Sequence, residues 1–116
     1  MANAPIMGPM NHITDIDAAN DFEKKHTPHI DLQRTEDGKL RVDVKVGYYF
    51  PHPNQPDHFI DWLHVYVDHA NVAQFDLAAG VAWPNVSVVV EADDGALITA
   101  VENCNLHGLW KAEARA

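Results

Sequence analysis

Lys39-Leu40-Arg41-Val42-Asp43-Val44-Lys45-Val46 alternates without a break, with Leu40, Val42, Val44 and Val46 on one side and Lys39, Arg41, Asp43 and Lys45 on the other. Side chains of an extended chain point to opposite faces with a period of two, so this run predicts a strand with one face buried and one face wet. Glu36-Asp37-Gly38, just before it, has the residues of a tight turn. Ile30 to Arg34 is therefore expected to fold back onto the strand as a hairpin. Five more β-rich runs follow: Phe59 to Val67, Val72 to Leu77, Val86 to Glu91, Ala96 to Val101 and Leu109 to Ala112, with Asp93-Asp94-Gly95 read as another hairpin turn. About seven short strands separated by turn signals predict an all-β sandwich.

Ahead of the strands, Met1 to about Thr14 mixes Pro5, Gly8 and Pro9 with Asn and Ala and has no periodicity, the character of a loose arm. Asp15 to Lys25 is expected to hold a short helix with Thr14 or Asp15 as its cap. The division that follows is an amino-terminal arm over residues 1–22 and one β-sandwich domain over residues 23–116.

The 116 residues fit one domain, and 47% hydrophobic content is enough for a core. Eight Lys and Arg against 17 Asp and Glu give a formal charge of -9, which disfavours a general role on nucleic acid because phosphates are repelled. Any anion handled by this chain must be drawn by a local cation. The first twenty residues lack a basic segment followed by a continuous apolar run, and no stretch approaches the length of a membrane span. A soluble cytoplasmic protein is the expectation. The single cysteine excludes an internal disulfide framework.

That cysteine lies in Cys104-Asn105-Leu106-His107-Gly108-Leu109-Trp110, with an imidazole three residues after the thiol. Such a pair reads as a metal site or a nucleophile. His52-Pro53-Asn54-Gln55-Pro56-Asp57-His58 adds two imidazoles in a proline-bounded loop, and His26 follows Lys24-Lys25. Four imidazoles and one thiolate exceed the needs of a catalytic dyad and suit one transition-metal ion. His52, His58 and the Cys104 to Gly108 segment fall in connections between strands and His26 on the chain entering the first strand, and a sandwich gathers such connections at its ends. His12, His29, His64 and His69 are expected to be surface or hydrogen-bonded residues. Trp62, Trp83 and Trp110 are expected to be core or site-shielding aromatics.

Phe50-Pro51-His52-Pro53-Asn54 with Asp57-His58, the Cys104 to Trp110 segment, and Lys25-His26-Thr27-Pro28 together resemble the superoxide reductase family, also called neelaredoxin, from about Glu23 to Trp110. One cysteine in total matches the one-iron form and not the two-iron desulfoferrodoxins, whose extra domain needs four more. The resemblance implies a mononuclear non-haem iron on an immunoglobulin-like β-sandwich. It also implies His26, His52, His58 and His107 as equatorial ligands, Cys104 as the axial thiolate that donates electron density across the metal, and a sixth position open in the ferrous state. The implied reaction is one-electron reduction of superoxide to hydrogen peroxide, with an external donor such as rubredoxin and assembly as a dimer or tetramer. Lys25 matches the family lysine beside the open position, where a cation attracts superoxide and orders a proton-delivering water. The family glutamate that caps ferric iron normally precedes Lys-His directly. Here the series is Glu23-Lys24-Lys25-His26, with Glu23 one residue early. Either the loop absorbs the added lysine or the ferric site has no protein carboxylate.

Two rival readings use the same residues. An electron-transfer cupredoxin also joins a β-sandwich to an upstream His and a late Cys and His, but it usually adds an axial Met soon after that His. Gly108-Leu109-Trp110-Lys111 follows here, and the last methionine is Met10. A structural zinc site in a non-catalytic binding module would use four ligands, one fewer than the five candidates.

Overall fold

The computed structural model describes residues 9–116. Its strands are β1 (Asn11–His12), β2 (His29–Arg34), β3 (Leu40–Lys45), β4 (Ile60–Val67), β5 (Ala70–Asp76), β6 (Asn85–Val90), β7 (Leu97–Cys104) and β8 (Gly108–Arg115), with one helix, α1 (Asp21–His26). They form a five-stranded sheet in the order β1-β8-β7-β4-β5 and a three-stranded sheet in the order β2-β3-β6. This is the β-sandwich that the alternating runs predict, with β1 as an added short strand.

The core lies between the sheets. Leu40, Val42 and Val44 of β3 and Val46 just beyond it are buried, as their spacing requires, and they join Leu63 and Val65 of β4 with Ile98 and Ala100 of β7 in one apolar cluster. Arg41 and Lys45 stay exposed on the other face. In β4 the register shifts between Ile60 and Trp62. The extra residue lets both Ile60 and Leu63 face the core although they are an odd number of positions apart.

Three local expectations change. The helix begins at Asn20, not at Thr14 or Asp15: the Asn20 side chain accepts the Glu23 N–H at 2.8 Å and the Glu23 carboxylate accepts the Asn20 N–H at 3.0 Å, a reciprocal capping box. Asp15 instead precedes a single 3-10 turn, Ile16–Ala18. Asp93-Asp94-Gly95 is a turn but not a hairpin, because β6 pairs with β3 and β7 pairs with β4 and β8, so the chain crosses from one sheet to the other there. Within the segment expected to be an arm, Asn11 and His12 pair in parallel with Trp110 and Lys111 of β8. Residues 1–8 of that segment lie outside the described residues.

Candidate metal centre

All the connections that carry chemistry-bearing residues leave the sandwich at one end. The β3–β4 connection holds His52 and His58, β7 ends at Cys104, β8 starts at Gly108, and α1 delivers His26 just before Thr27-Pro28 ends the helix. Proline disfavours helical geometry in the residue before it, so His26 is left at the last helical position. There it packs under Trp110, ring centroids 4.9 Å apart and 18° from parallel.

The four imidazoles form a closed ring. His26 and His52 are 4.8 Å apart between centroids, His52 and His58 4.8 Å, His58 and His107 5.2 Å, and His107 and His26 5.0 Å. Each neighbouring pair is crossed at 74–83°, which turns ring edges, and not faces, toward a common centre. One ligand atom from each of His26, His52, His58 and Cys104 lies within 4.8 Å of all the others. His107 lies outside that group of four but brings Nδ1 to 3.2 Å from His26 Nε2 and 3.8 Å from Cys104 Sγ. The sulfur is also 3.6 Å from His52 Nε2.

Hydrogen bonds choose which nitrogen faces inward. His26 Nδ1 donates to the Phe22 carbonyl and His52 Nδ1 donates to the Pro53 carbonyl, both at 2.7 Å, so in each ring Nε2 carries the lone pair and points to the centre. Burial lowers the pKa of His26 and of His52 to about 4, and desolvation also lowers those of His58 and His107. The rings are therefore neutral at physiological pH, the form that binds metal. His58 Nε2 is buried with no hydrogen-bond partner. Several lone pairs aimed at one point repel one another unless a cation sits among them, so this donor set fits a transition-metal ion and fits little else.

Cys104 sits at the boundary between this ring and the apolar core, fully buried. Burial pushes its thiol up to about 11, while the backbone N–H groups of Leu106 and His107 donate to the sulfur and pull the other way. The Asn105 N–H donates elsewhere, to the Phe59 carbonyl at 3.1 Å. A metal cation at the ring centre would favour the thiolate far more than these dipoles do.

Glycine is required beside the loop. Gly47 has φ +89, and a Cβ there would come within 3.1 Å of the His52 backbone nitrogen. On the far side of the loop the buried Asn54 side chain accepts the Gly80 N–H at 3.1 Å and reaches the Ala82 carbonyl at 3.5 Å. These contacts tie Asn54, two residues after His52, to the β5–β6 connection.

Lys25 is half-buried with its ammonium 5.9 Å above the Phe50 ring, and its charge depresses the pKa of His52, His58, His107 and Cys104 together. Glu23 is occupied in the helix cap. His29 stacks on Tyr48 and His64 on Trp62, both away from the ring, while His69 lies in the β4–β5 turn with φ 72. Trp110 shields the site as expected; Trp83 is 64% exposed and neither core nor shield. Met10, the only methionine among the described residues, lies with Tyr66, Thr99 and Val101 on the outer face of the five-stranded sheet, where it cannot act as an axial copper ligand.

Phe22 and Asn105 escaped the reading of the sequence. Phe22 packs edge-on against His107 at 4.8 Å and Trp110 at 5.7 Å, and only the helix register, four residues before His26, could have pointed to it.

Comparison with known proteins places this geometry. The Desulfoferrodoxin family model matches residues 18–113. A superoxide reductase of Pyrococcus abyssi is 32% identical over 102 residues, covering 79% of this chain and 87% of its own. A desulfoferrodoxin of Desulfarculus baarsii is 39% identical over 98 residues, covering 84% of this chain and 67% of its own. Among solved structures, the superoxide reductase (neelaredoxin) of Archaeoglobus fulgidus in the reduced form is similar with a TM-score of 0.72 and 31% identity over 83% of this chain and 94% of that one. The matched span encloses all five converging donors, and the chain belongs to the desulfoferrodoxin family.

Proposed function

We propose that this chain is a superoxide reductase whose iron is held by His26, His52, His58 and His107 with Cys104 as the fifth ligand. The observation that carries the reading is the closed ring of four neutral imidazoles over a buried cysteine sulfur. When bound there, iron supplies the one-electron couple that takes superoxide to hydrogen peroxide, two protons being consumed. The protein's share is to present five fixed donors, keep one coordination position accessible and bring the anion in. His107 is exposed and His58 half-buried, whereas His26 and His52 are buried, so solvent reaches the ring from the His58 and His107 side.

Lys25 has the recruiting role in this reading. The chain carries a formal charge of -9, so an approaching anion is repelled on average and needs a local cation at the site. The same ammonium can hold a water within reach of the substrate's oxygen and pass on its proton. Glu23 serves the helix cap, and the reading assigns no protein carboxylate to the ferric ion. The electron donor is a small redox protein of the rubredoxin type, residues 23–116 form the functional domain, the site of action is the cytoplasm, and a dimer or tetramer is the assembled state. No helix among the described residues is long and apolar enough to cross a membrane.

Pulse radiolysis of the reduced, iron-loaded protein tests this directly. Superoxide should be consumed in a second-order reaction that yields hydrogen peroxide without oxygen. Lys25→Ala should bind as much iron and react more slowly, by about ten-fold if the guiding charge contributes about 1.4 kcal/mol. An iron-loaded protein inert to superoxide would leave a non-catalytic metal-binding module as the better reading.

A further inference from the structure

Two of the four imidazoles have an evident hydrogen bond to the backbone that sets the ring. His26 and His52 donate from Nδ1 to backbone carbonyls, and His107 presents Nδ1 itself, three residues after Cys104 on the same turn. For His58 no such ring bond exists among the described residues, and its inward nitrogen is buried and unpartnered. Apart from edge contacts with the His52 and His107 rings, its position depends on its backbone. His58 exchanges both of its own backbone groups with Gln55, at 2.9 and 3.0 Å. The residues on either side are held by one side chain: Asn105 Oδ1 accepts the Phe59 N–H at 2.9 Å, and Asn105 Nδ2 donates to the Asp57 carbonyl at 2.9 Å. The Asn105 backbone N–H adds a third bond, to the Phe59 carbonyl at 3.1 Å.

We infer that Asn105 is the positioning residue for His58: its amide brackets the histidine from both flanks and fixes that imidazole relative to the adjacent Cys104 sulfur. The chemistry follows from the amide's two ends. An acceptor and a donor on one planar group span Asp57 to Phe59 as a paired strand would, where the loop has no strand to pair with. Asn105 is also covalently next to Cys104, so the bracket ties the position of the His58 ring to that of the Cys104 sulfur. Loss of the bracket frees His58 to swing out while the other four donors stay in place. The expected result is a centre that still binds metal but releases it faster and with altered symmetry.

The inference rests on the five-donor iron reading above. Its test is the release of ferrous iron from the loaded protein to a colorimetric chelator, together with the electron paramagnetic resonance spectrum of the oxidised form. Asn105→Ala should release iron roughly ten-fold faster or more, the range seen when a group that orients a metal ligand is lost, and the ferric signal should change shape. Asn105→Asp keeps the acceptor for Phe59 and loses the donor to Asp57, so its release rate should fall between the two. Asn71→Ala is the control for general loosening, because Asn71 Nδ2 also makes two bonds to backbone, at 3.2 and 3.3 Å to Val65 and Ala73, in the β4–β5 hairpin. It should release iron at the wild-type rate. Wild-type release and an unchanged ferric spectrum in Asn105→Ala would overturn the inference, as would equal acceleration in Asn71→Ala. If Asn105→Ala does not fold, a wild-type rate in Asn105→Asp has the same force. A wild-type chain that takes up no iron would sink the metal reading itself, and this inference with it.

Discussion

Glu102 lies on the inward face of β7, between Ala100 and Cys104, with 0% exposure and no hydrogen-bond partner for either carboxyl oxygen. Burial alone raises its pKa well above the ordinary 4.5. The sign of the consequence is fixed by linkage. A carboxyl whose folded pKa is raised binds its proton more tightly in the folded state, so stability is lost as pH climbs from 4.5 toward the folded pKa. Glu102→Leu removes two unsatisfied oxygens from the core at similar volume and should stabilise the metal-free protein by about 1–3 kcal/mol, the cost of a buried unpaired polar group. The gain should be smallest near pH 4 and should grow with pH. His26 and His52, lowered to about 4, give the opposite slope, with stability falling as pH drops from 6.5 toward 4. Because both proteins share those histidines, the difference between their urea unfolding curves over a pH series isolates Glu102. A variant less stable than wild type at every pH would mean that the carboxyl has an internal partner.

Helix α1 has six residues and cannot persist alone, since an isolated helix that short does not overcome its nucleation cost. Its capping box and the packing of Phe22 and His26 on Trp110 hold it, and His26 at its last position inherits whatever order the cap provides. Asn20→Ala should cost about 1 kcal/mol of stability and speed iron loss by several-fold, read by thermal unfolding and by chelator competition. A full loss in stability with unchanged iron retention would show that Trp110, not the cap, positions His26. The helix start also shows what could be read beforehand. Thr14 and Asp15 are as good by composition as Asn20, and only the Glu three residues on from Asn20 distinguishes it, a signal that short motifs make easy to miss. β3 was legible because its alternation is strict. The turn at Asp93 to Gly95 was legible as a turn, but a local turn signal carries no information on which strand the chain joins next, and the partners of β6 and β7 are set by packing across the core.

The side chains that converge at this end were legible because each sits in a short, residue-specific motif, while the groups that aim them come from elsewhere in the chain. Phe22 and Trp110 meet across 88 positions of sequence only through the tertiary fold, and the Asn105 bracket spans 46 and 48. The molecule is an acidic sandwich with an apolar core below the sulfur and a ring of imidazoles above it. If Lys25 guides the anion as proposed, the rate of superoxide consumption should depend on ionic strength. Added salt should slow the wild type by screening Lys25 over a length of about 10 Å at 0.1 M, and Lys25→Ala should respond less. The centre itself is best tested by X-ray absorption at the iron edge of the loaded protein, comparing wild type with Cys104→Ser. The account predicts one sulfur and four imidazole nitrogens around iron in the wild type, with the sulfur contribution and the thiolate-to-ferric charge-transfer colour both gone in the variant. A wild-type spectrum without sulfur, or a sulfur contribution that survives in Cys104→Ser, would contradict it.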